Sequence, residues 1–139
     1  MDIGEVRLLS GRENAAMRAT EAMLRALGGA SIILRLPAPA SAASIPQELG
    51  IDPPATDDVE LFPVIVRDLG KHAGRHRFEL LIAAKTLQAL VESRGESFCT
   101  SLLNAAAGFV REGKLLILAD VRAVWFAGAE CLLRVIVLE

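Results

Sequence analysis

The C-terminal part of the chain carries the pattern that most constrains the fold. In "KLLILADVRAVWF", Lys114 to Phe126, every second position is apolar: Leu115, Ile117, Ala119, Val121, Ala123 and Trp125. After "AGA" the alternation resumes with Cys131, Leu133, Val135 and Val137. A period of two is that of a β-strand. Two long strands are therefore predicted to form a C-terminal hairpin with its turn at Ala127-Gly128.

The opposite face of this hairpin is also apolar at many positions, which are Leu116, Leu118, Leu132, Ile136 and Leu138. An antiparallel sheet with one face in water normally has polar residues on that face. We therefore expect the second face to pack against helices, against a neighbouring strand of a barrel, or against another subunit.

The first part of the chain predicts a helix followed by a strand. Ser10 and Glu13 form a capping-box pattern, apolar residues then recur at helical spacing, and Gly28-Gly29 provides a stop, which predicts a helix over Gly11–Leu27. The short aliphatic segment Ser31–Leu36 is typical of a strand and is ended by a proline.

The middle of the chain predicts two further strands and two further helices. Val59–Asp68 and Arg77–Ala83 have strand composition, and Pro63 places the first of these at a sheet edge or at a bulge because proline cannot donate a ladder hydrogen bond. Helical spacing predicts one helix in "AAKTLQALVES", residues 83–93, and another over Ser97–Phe109.

Taken together, these elements predict an α+β fold with an antiparallel sheet or small β-barrel, two or three packed helices and the C-terminal hairpin. The 139 residues fit one domain. Hydrophobic residues make up 53% of the chain and charged residues 23%, which argues against disorder and favours a buried subunit interface. The net charge of −2 disfavours a globally basic nucleic-acid binder.

Two features of the sequence bear on the compartment. The longest uncharged runs are shorter than the roughly 18 residues of a spanning helix, so we expect no membrane contact. The start, "MDIGEVRLL", has acidic residues where a secretory signal would be basic. We therefore expect an intracellular protein in which Cys99 and Cys131 are buried thiols.

The segment Pro37–Asp58 holds five of the six prolines. A connection this long within a compact domain is usually functional or mobile. Two interpretations remain open: ordering on assembly with a partner, or a plain disordered insertion. The candidate assembly residues are Pro46, Glu48, Leu49, Ile51, Pro53 and Pro54. Asp57-Asp58 are interpreted as turn residues before the next strand rather than as an acid/base pair.

The segment "RDLGKHAGRHRFEL" concentrates positive charge between two predicted strands. Its candidate contacts for a partner or a phosphate are Lys71, His72, Arg75, His76 and Arg77. The alternative is a solvated hairpin tip. Asp68, His72 and His76 have the spacing of metal ligands on a helix, but the glycines between them and the flanking strand patterns favour a connection. No metal or other cofactor is therefore predicted.

Catalysis has little support in the residue pattern. A thiol enzyme would need Cys99 activated by a helix N-terminus and a histidine of the basic segment as a base. The chain has no nucleophile-elbow glycines and no phosphate-cradling loop. We therefore expect a protein that is not an enzyme.

The segments "FELLIAAKTLQALVESRGESF" and "EGKLLILADVRAVWFAGAECLLRVIVLE" resemble the strand, short helix and closing hairpin of small tailed-phage neck proteins, the head–tail connector or head-closure group. The resemblance covers about the second half of the chain. It implies a phage or prophage structural protein that acts in the virion through self-association or contacts with neighbouring virion proteins. The basic segment would then lie close to DNA or to acidic neighbours, and no catalytic residue is implied.

The alternative is a bacterial module that binds a small ligand or regulates without catalysis, and then the protein would stay cytoplasmic. In that interpretation the apolar second face of the hairpin lines a ligand pocket. An enclosed cavity in a monomer would favour it, whereas a discrete oligomer would favour the assembly protein.

Overall fold

A computed structural model describes residues 3–38, 49–50 and 55–139. Its elements are α1 (Ile3–Ala26), β1 (Ala30–Pro37), β2 (Thr56–His72), β3 (Arg75–Ala83), α2 (Ala84–Ser93), α3 (Cys99–Asn104), β4 (Gly108–Arg111), β5 (Lys114–Phe126) and β6 (Ala129–Leu138). The described strands close an antiparallel barrel in the order β1-β2-β3-β6-β5-β4. The prediction of an α+β fold with a small barrel and packed helices is confirmed.

Apolar side chains fill the barrel. The inward positions of the central strands are 7% exposed or less, and they include Ile32, Leu34, Leu36, Phe78, Leu80, Ile82, Leu133, Val135 and Val137. Helices α2 and α3 add Leu87, Leu102 and Leu103 to the same core. They follow β3 and precede β4, so they close the end of the barrel where β3 ends. Burial of this continuous apolar cluster is the main stabilising contribution.

Helix α1 lies on the outside of the barrel and packs against β2, β3 and β6. Leu24 is buried in that contact. The predicted start of the helix is wrong, because α1 begins at Ile3 and Ser10 lies inside it. A serine and a glutamate three residues apart occur inside helices as well as at their starts. The predicted stop is confirmed, since Gly28 has a φ of 84°.

The prediction of a helix over Ser97–Phe109 is wrong in its second half. The helix ends at Asn104 and Gly108–Arg111 is strand β4, which pairs with β1 on one side and β5 on the other. At Gly108, where φ is 149°, an added Cβ would lie 2.5 Å from the Leu116 carbonyl oxygen. Only glycine permits this close approach of the backbones. Phe109 is fully buried inside the barrel.

The C-terminal hairpin and its turn are confirmed, but the alternation along β5 is interrupted. The register against β6 shifts between Leu118 and Asp120, which is a β-bulge. Before the bulge Leu116 points inward and is 2% exposed, whereas Leu115 and Ile117 are 41% and 42% exposed. After the bulge Val121 packs against the core. One extra residue therefore exchanges the two faces of the strand.

The predicted bounds of the proline-rich segment are too wide. Pro37 pairs with Thr56 in the barrel, and Ala38 N–H donates to the Ala55 carbonyl oxygen at 2.9 Å. Asp57 and Asp58 are strand residues, not turn residues: each carboxylate binds an arginine, Arg94 at 2.9 Å and Arg35 at 2.8 and 2.9 Å, respectively.

Most of the residues predicted to act in the proline-rich segment are beyond the described part of the chain. The candidate assembly residues Pro46, Glu48, Ile51, Pro53 and Pro54 lie outside the described residues. Leu49 lies in a turn and is 70% exposed. The irregularity predicted at Pro63 is confirmed, because the β1–β2 register shifts between Ala30 and Ile32, opposite that position.

Because of the strand register before the bulge, Leu116 and Leu115 should contribute differently to the free energy of unfolding. Leu116→Ala should lower the free energy of unfolding by about 2–5 kcal/mol, because it leaves a cavity in the core. Leu115→Ala, the matched control on the outer face, should change it by about 0.5 kcal/mol or less. Urea denaturation of the two variants decides the matter, and a larger loss for Leu115→Ala would contradict the register.

Candidate functional site

The basic segment lies at the tip of a tight hairpin, and the two strands that it joins are longer than the predicted Val59–Asp68 and Arg77–Ala83. Strand β2 continues to His72 and β3 begins at Arg75, so only Ala73-Gly74 form the turn, with φ values of 52° and 79°. Positive φ at both positions is the geometry of a type I′ hairpin turn. Because side chains alternate along a strand, the predicted contact residues are divided between two sides of the barrel.

His76 lies at the end of the barrel opposite α2 and α3. Its ring stacks on Phe78 with centroids 4.5 Å apart, and Nε2 lies 2.5 Å from Asp68 Oδ1. Nδ1 is 4.0 Å from Glu139 Oε2, and Glu139 in turn binds Lys114. These residues form a charged network around a cavity of about 260 Å³ at this barrel mouth.

The network holds its carboxylates in the ionised form. The pKa of Asp68 is lowered, first by the hydrogen bond with His76 and then by the Gly70 N–H, which donates to it at 2.7 Å. The pKa of Glu139 is lowered and that of Lys114 is raised by their mutual hydrogen bond. Charged partners favour the charged forms.

The outer face of β2, β3, β5 and β6 carries a second cluster, which we call the arginine face: Arg67, Arg77, Arg122 and Arg134 with Glu79 and Asp120. Glu79 is 1% exposed and its two oxygens accept from Arg67 NH1 at 2.8 Å and from Arg134 Nε at 2.5 Å. Arg122 Nε donates to Asp120 at 3.0 Å. Arg122 and Arg134 lie directly opposite each other in the register.

Of the predicted contact residues, Arg77 alone belongs to the arginine face. It lines a cavity of about 270 Å³ with Asp120, Arg122, Arg134 and Ile136. Its Nε is buried and has no hydrogen-bond partner among the described residues. Lys71, His72 and Arg75 are exposed near the turn. The other arginines were not predicted as contact residues, because only the pairing of four strands brings them together.

A third feature is an apolar patch at the β5–β6 turn, which we call the hairpin-tip patch: Val124, Trp125, Phe126 and Met23. All four side chains are 50–58% exposed. They line a surface cavity of about 340 Å³ between α1 and the hairpin. Trp125 also contacts Phe98 edge-to-face, with ring centroids 5.8 Å apart.

Cys99 does not have the environment of a nucleophile. The Glu130 carboxylate accepts from the backbone N–H groups of Cys99 and Thr100, at 2.6 and 3.3 Å. Burial, and then the nearby Glu130 charge, raise the pKa of the Cys99 thiol to about 12. The pKa of Cys99 is therefore raised, whereas the position near a helix N-terminus was expected to lower it.

Comparison with known proteins adds no relative, since no family model, curated protein or solved structure matches the chain. Within residues 3–38, 49–50 and 55–139, no helix is both long and apolar enough to cross a membrane. The same residues contain no group of three or more His, Cys, Asp or Glu side chains arranged to hold a metal ion. Asp68 and His76 do meet, but across a hairpin instead of along a helix.

Glu79 should contribute measurably to stability. Glu79→Gln removes a charge that two arginines bind, so it should lower the free energy of unfolding by about 2 kcal/mol. Asp120→Asn breaks only an exposed pair on the same face and should cost about 1 kcal/mol or less. Denaturant titration of both variants tests this, and equal costs would contradict a structural role for buried Glu79.

The Asp68–His76 contact should make stability depend on pH in one direction. A carboxylate whose pKa is lowered by folding stabilises the folded state above its ordinary pKa, and the contribution is lost as the pH falls through the folded pKa. The stability difference between the native protein and Asp68→Asn should therefore shrink from about pH 5 to about pH 2. An NMR titration of the Asp68 carboxyl carbon gives the pKa directly, and an unshifted or raised value would refute the contact.

Proposed function

We propose that the protein is a structural assembly protein of a phage or prophage particle, of the head–tail joining type, which acts through protein–protein contacts. The resemblance of residues 78–98 and 112–139 to small neck proteins supports this assignment. The hairpin-tip patch is the observation that carries it, because Val124, Trp125, Phe126 and Met23 expose contiguous apolar surface beside a well-filled core. Such patches mark contact sites between proteins.

The closed barrel restricts how such contacts form. An open sheet can add a strand from a neighbour at its edge, but each of the six described strands already has two neighbours. Assembly must then use side-chain surfaces. Aromatic residues and methionine are enriched at interfaces between proteins, and the hairpin-tip patch contains these residue types.

The proline-rich segment is the second element of the proposal. Its candidate contacts are Pro46, Glu48, Leu49, Ile51, Pro53 and Pro54. The two ends of the segment meet in the barrel at the Pro37–Thr56 pair. Both ends of the segment are therefore fixed at one place on the barrel, where a contact arm to a neighbouring subunit would be anchored.

Small-ligand binding is the competing function. A surface cavity of about 340 Å³ lined by Phe98, Trp125, Glu130 and neighbouring residues has the size of a small ligand site. The interior of the barrel, however, is occupied by its own core. Binding inside the barrel would require a cavity that the packed side chains do not leave.

Assembly through the hairpin-tip patch predicts a defined change in mass. The native protein should form a discrete multi-subunit species, and Val124→Ser with Phe126→Ser should reduce it towards the 14.8 kDa monomer because the apolar contact is lost. Light scattering behind size exclusion, over a concentration series and at two salt levels, measures this.

A matched control lies on the same strand. Leu115→Ser with Ile117→Ser alters two residues that are 41% and 42% exposed but lie outside the patch, so this variant should keep the native mass. A native protein that is monomeric at every concentration would contradict self-association. Equal loss of mass in both double variants would contradict the assignment to the patch.

A further inference from the structure

We propose that the arginine face binds a phosphate oxyanion, in the cavity between Arg77, Arg122 and Arg134. This site uses other residues and another interaction than assembly through the hairpin-tip patch, so the two proposals are tested separately. The cavity has a volume of about 270 Å³, and its remaining lining residues are Asp120 and Ile136.

The charge balance of the face favours an anion. Its four arginines face only two carboxylates, Glu79 and Asp120, which leaves an excess of two positive charges. Both oxygens of Glu79 are already used by Arg67 and Arg134. A phosphate monoester carries about −1.5 to −2 charges at neutral pH, which matches this excess.

The register places like charges together. Arg122 and Arg134 are directly opposite on β5 and β6, a pairing that is unfavourable unless something neutralises it. Asp120 and Glu79 accept from the Nε of Arg122 and of Arg134, respectively, so the terminal N–H groups of both guanidiniums have no acceptor among the described residues. The side chains of Arg122 and Arg134 are 76% and 55% exposed. A tetrahedral oxyanion between them would accept from both.

Arg77 adds an unsatisfied donor. The Arg77 Nε is buried and lacks an acceptor among the described residues, although buried polar groups in folded proteins nearly always have one. Arg77 lines the cavity that it shares with Arg122 and Arg134. Arginine forks match phosphate oxygens in pairs, which lysine cannot do.

Helix α1 leaves this part of the barrel open. It lies beside Val124 and Leu132 on the outer face of the β5–β6 sheet. This is the part of the sheet closer to the hairpin turn. On the arginine face the side chains of Arg67, Arg122 and Arg134 are 60%, 76% and 55% exposed, so the described helices leave them open to solvent. A phosphate can thus reach it from solvent.

The test is titration with sodium tripolyphosphate, followed by calorimetry at constant ionic strength in chloride. The native protein should bind it, and Arg77→Gln with Arg122→Gln should weaken binding by about tenfold or more. Arg77→Lys keeps the charge without the fork and should show an intermediate loss. Arg18→Gln, at an exposed arginine on α1 that does not line the cavity, should bind as the native protein does.

A second binding experiment distinguishes the sources of the phosphate. It measures the affinity for a labelled single-stranded DNA of about 20 nucleotides at several salt concentrations. Binding that weakens in the same variants, with a salt slope reduced by roughly 0.7 for each arginine removed, assigns the site to a nucleic-acid backbone. Binding of tripolyphosphate alone assigns it to a small phosphate compound. Both results support the site.

Two outcomes would overturn the inference: no binding of tripolyphosphate by the native protein, or the same loss in Arg18→Gln as in the double variant. Circular dichroism establishes that the variants fold. If Arg77→Gln does not fold, then Arg122→Gln with Arg77→Lys replaces it, because Arg122 is 76% exposed and its substitution leaves the core unchanged.

Discussion

Closure of the barrel by β4 is the constraint on which the rest of the structure depends. This strand has only four residues, yet it joins β1 to β5 and removes the two edges that a five-stranded sheet would have. The closure requires Gly108, since its backbone lies against the Leu116 carbonyl. It also places Phe109 at the centre of the core. A closed barrel with a filled interior leaves its outer surface and its ends for binding.

The two-residue period of the strands determines which charged side chains lie on the outer surface. On β3 the residues alternate between the core and the arginine face, so Phe78 is buried inside while Glu79 is buried outside under Arg67 and Arg134. Burial of a charge on the outer face is tolerated because it is paired on both sides. Arg67 and Arg134 share the Glu79 carboxylate, and Arg77 has no carboxylate partner among the described residues. Within the described part of the chain, Arg122 alone of the four arginines has a carboxylate to itself, Asp120.

The strands and the C-terminal hairpin were predictable because apolar alternation is a local signal. Strand β4 was not, because "AAAGFVR" has the composition of a helix end and its pairing with β1 is non-local. In the turns Ala73-Gly74 and Glu112-Gly113 both residues have positive φ, as in Ala127-Gly128. A residue followed by glycine was therefore the sequence signal that could have predicted the first two turns as well. The arginine face depends on register across four strands, which a single sequence does not specify.

The two outer surfaces adjoin, and this couples their energetics. Arg122 and Val124 share one face of β5 and are two residues apart. In the proposed assembly, a copy docked by the same patch would therefore bring a second arginine face nearby. Each face carries an excess of positive charge, and like charges repel at distances within the Debye length, about 8 Å at physiological salt. A bound phosphate removes this repulsion. If both proposals hold, self-association through the patch and anion binding at the arginines would favour each other, as linkage between two sites requires.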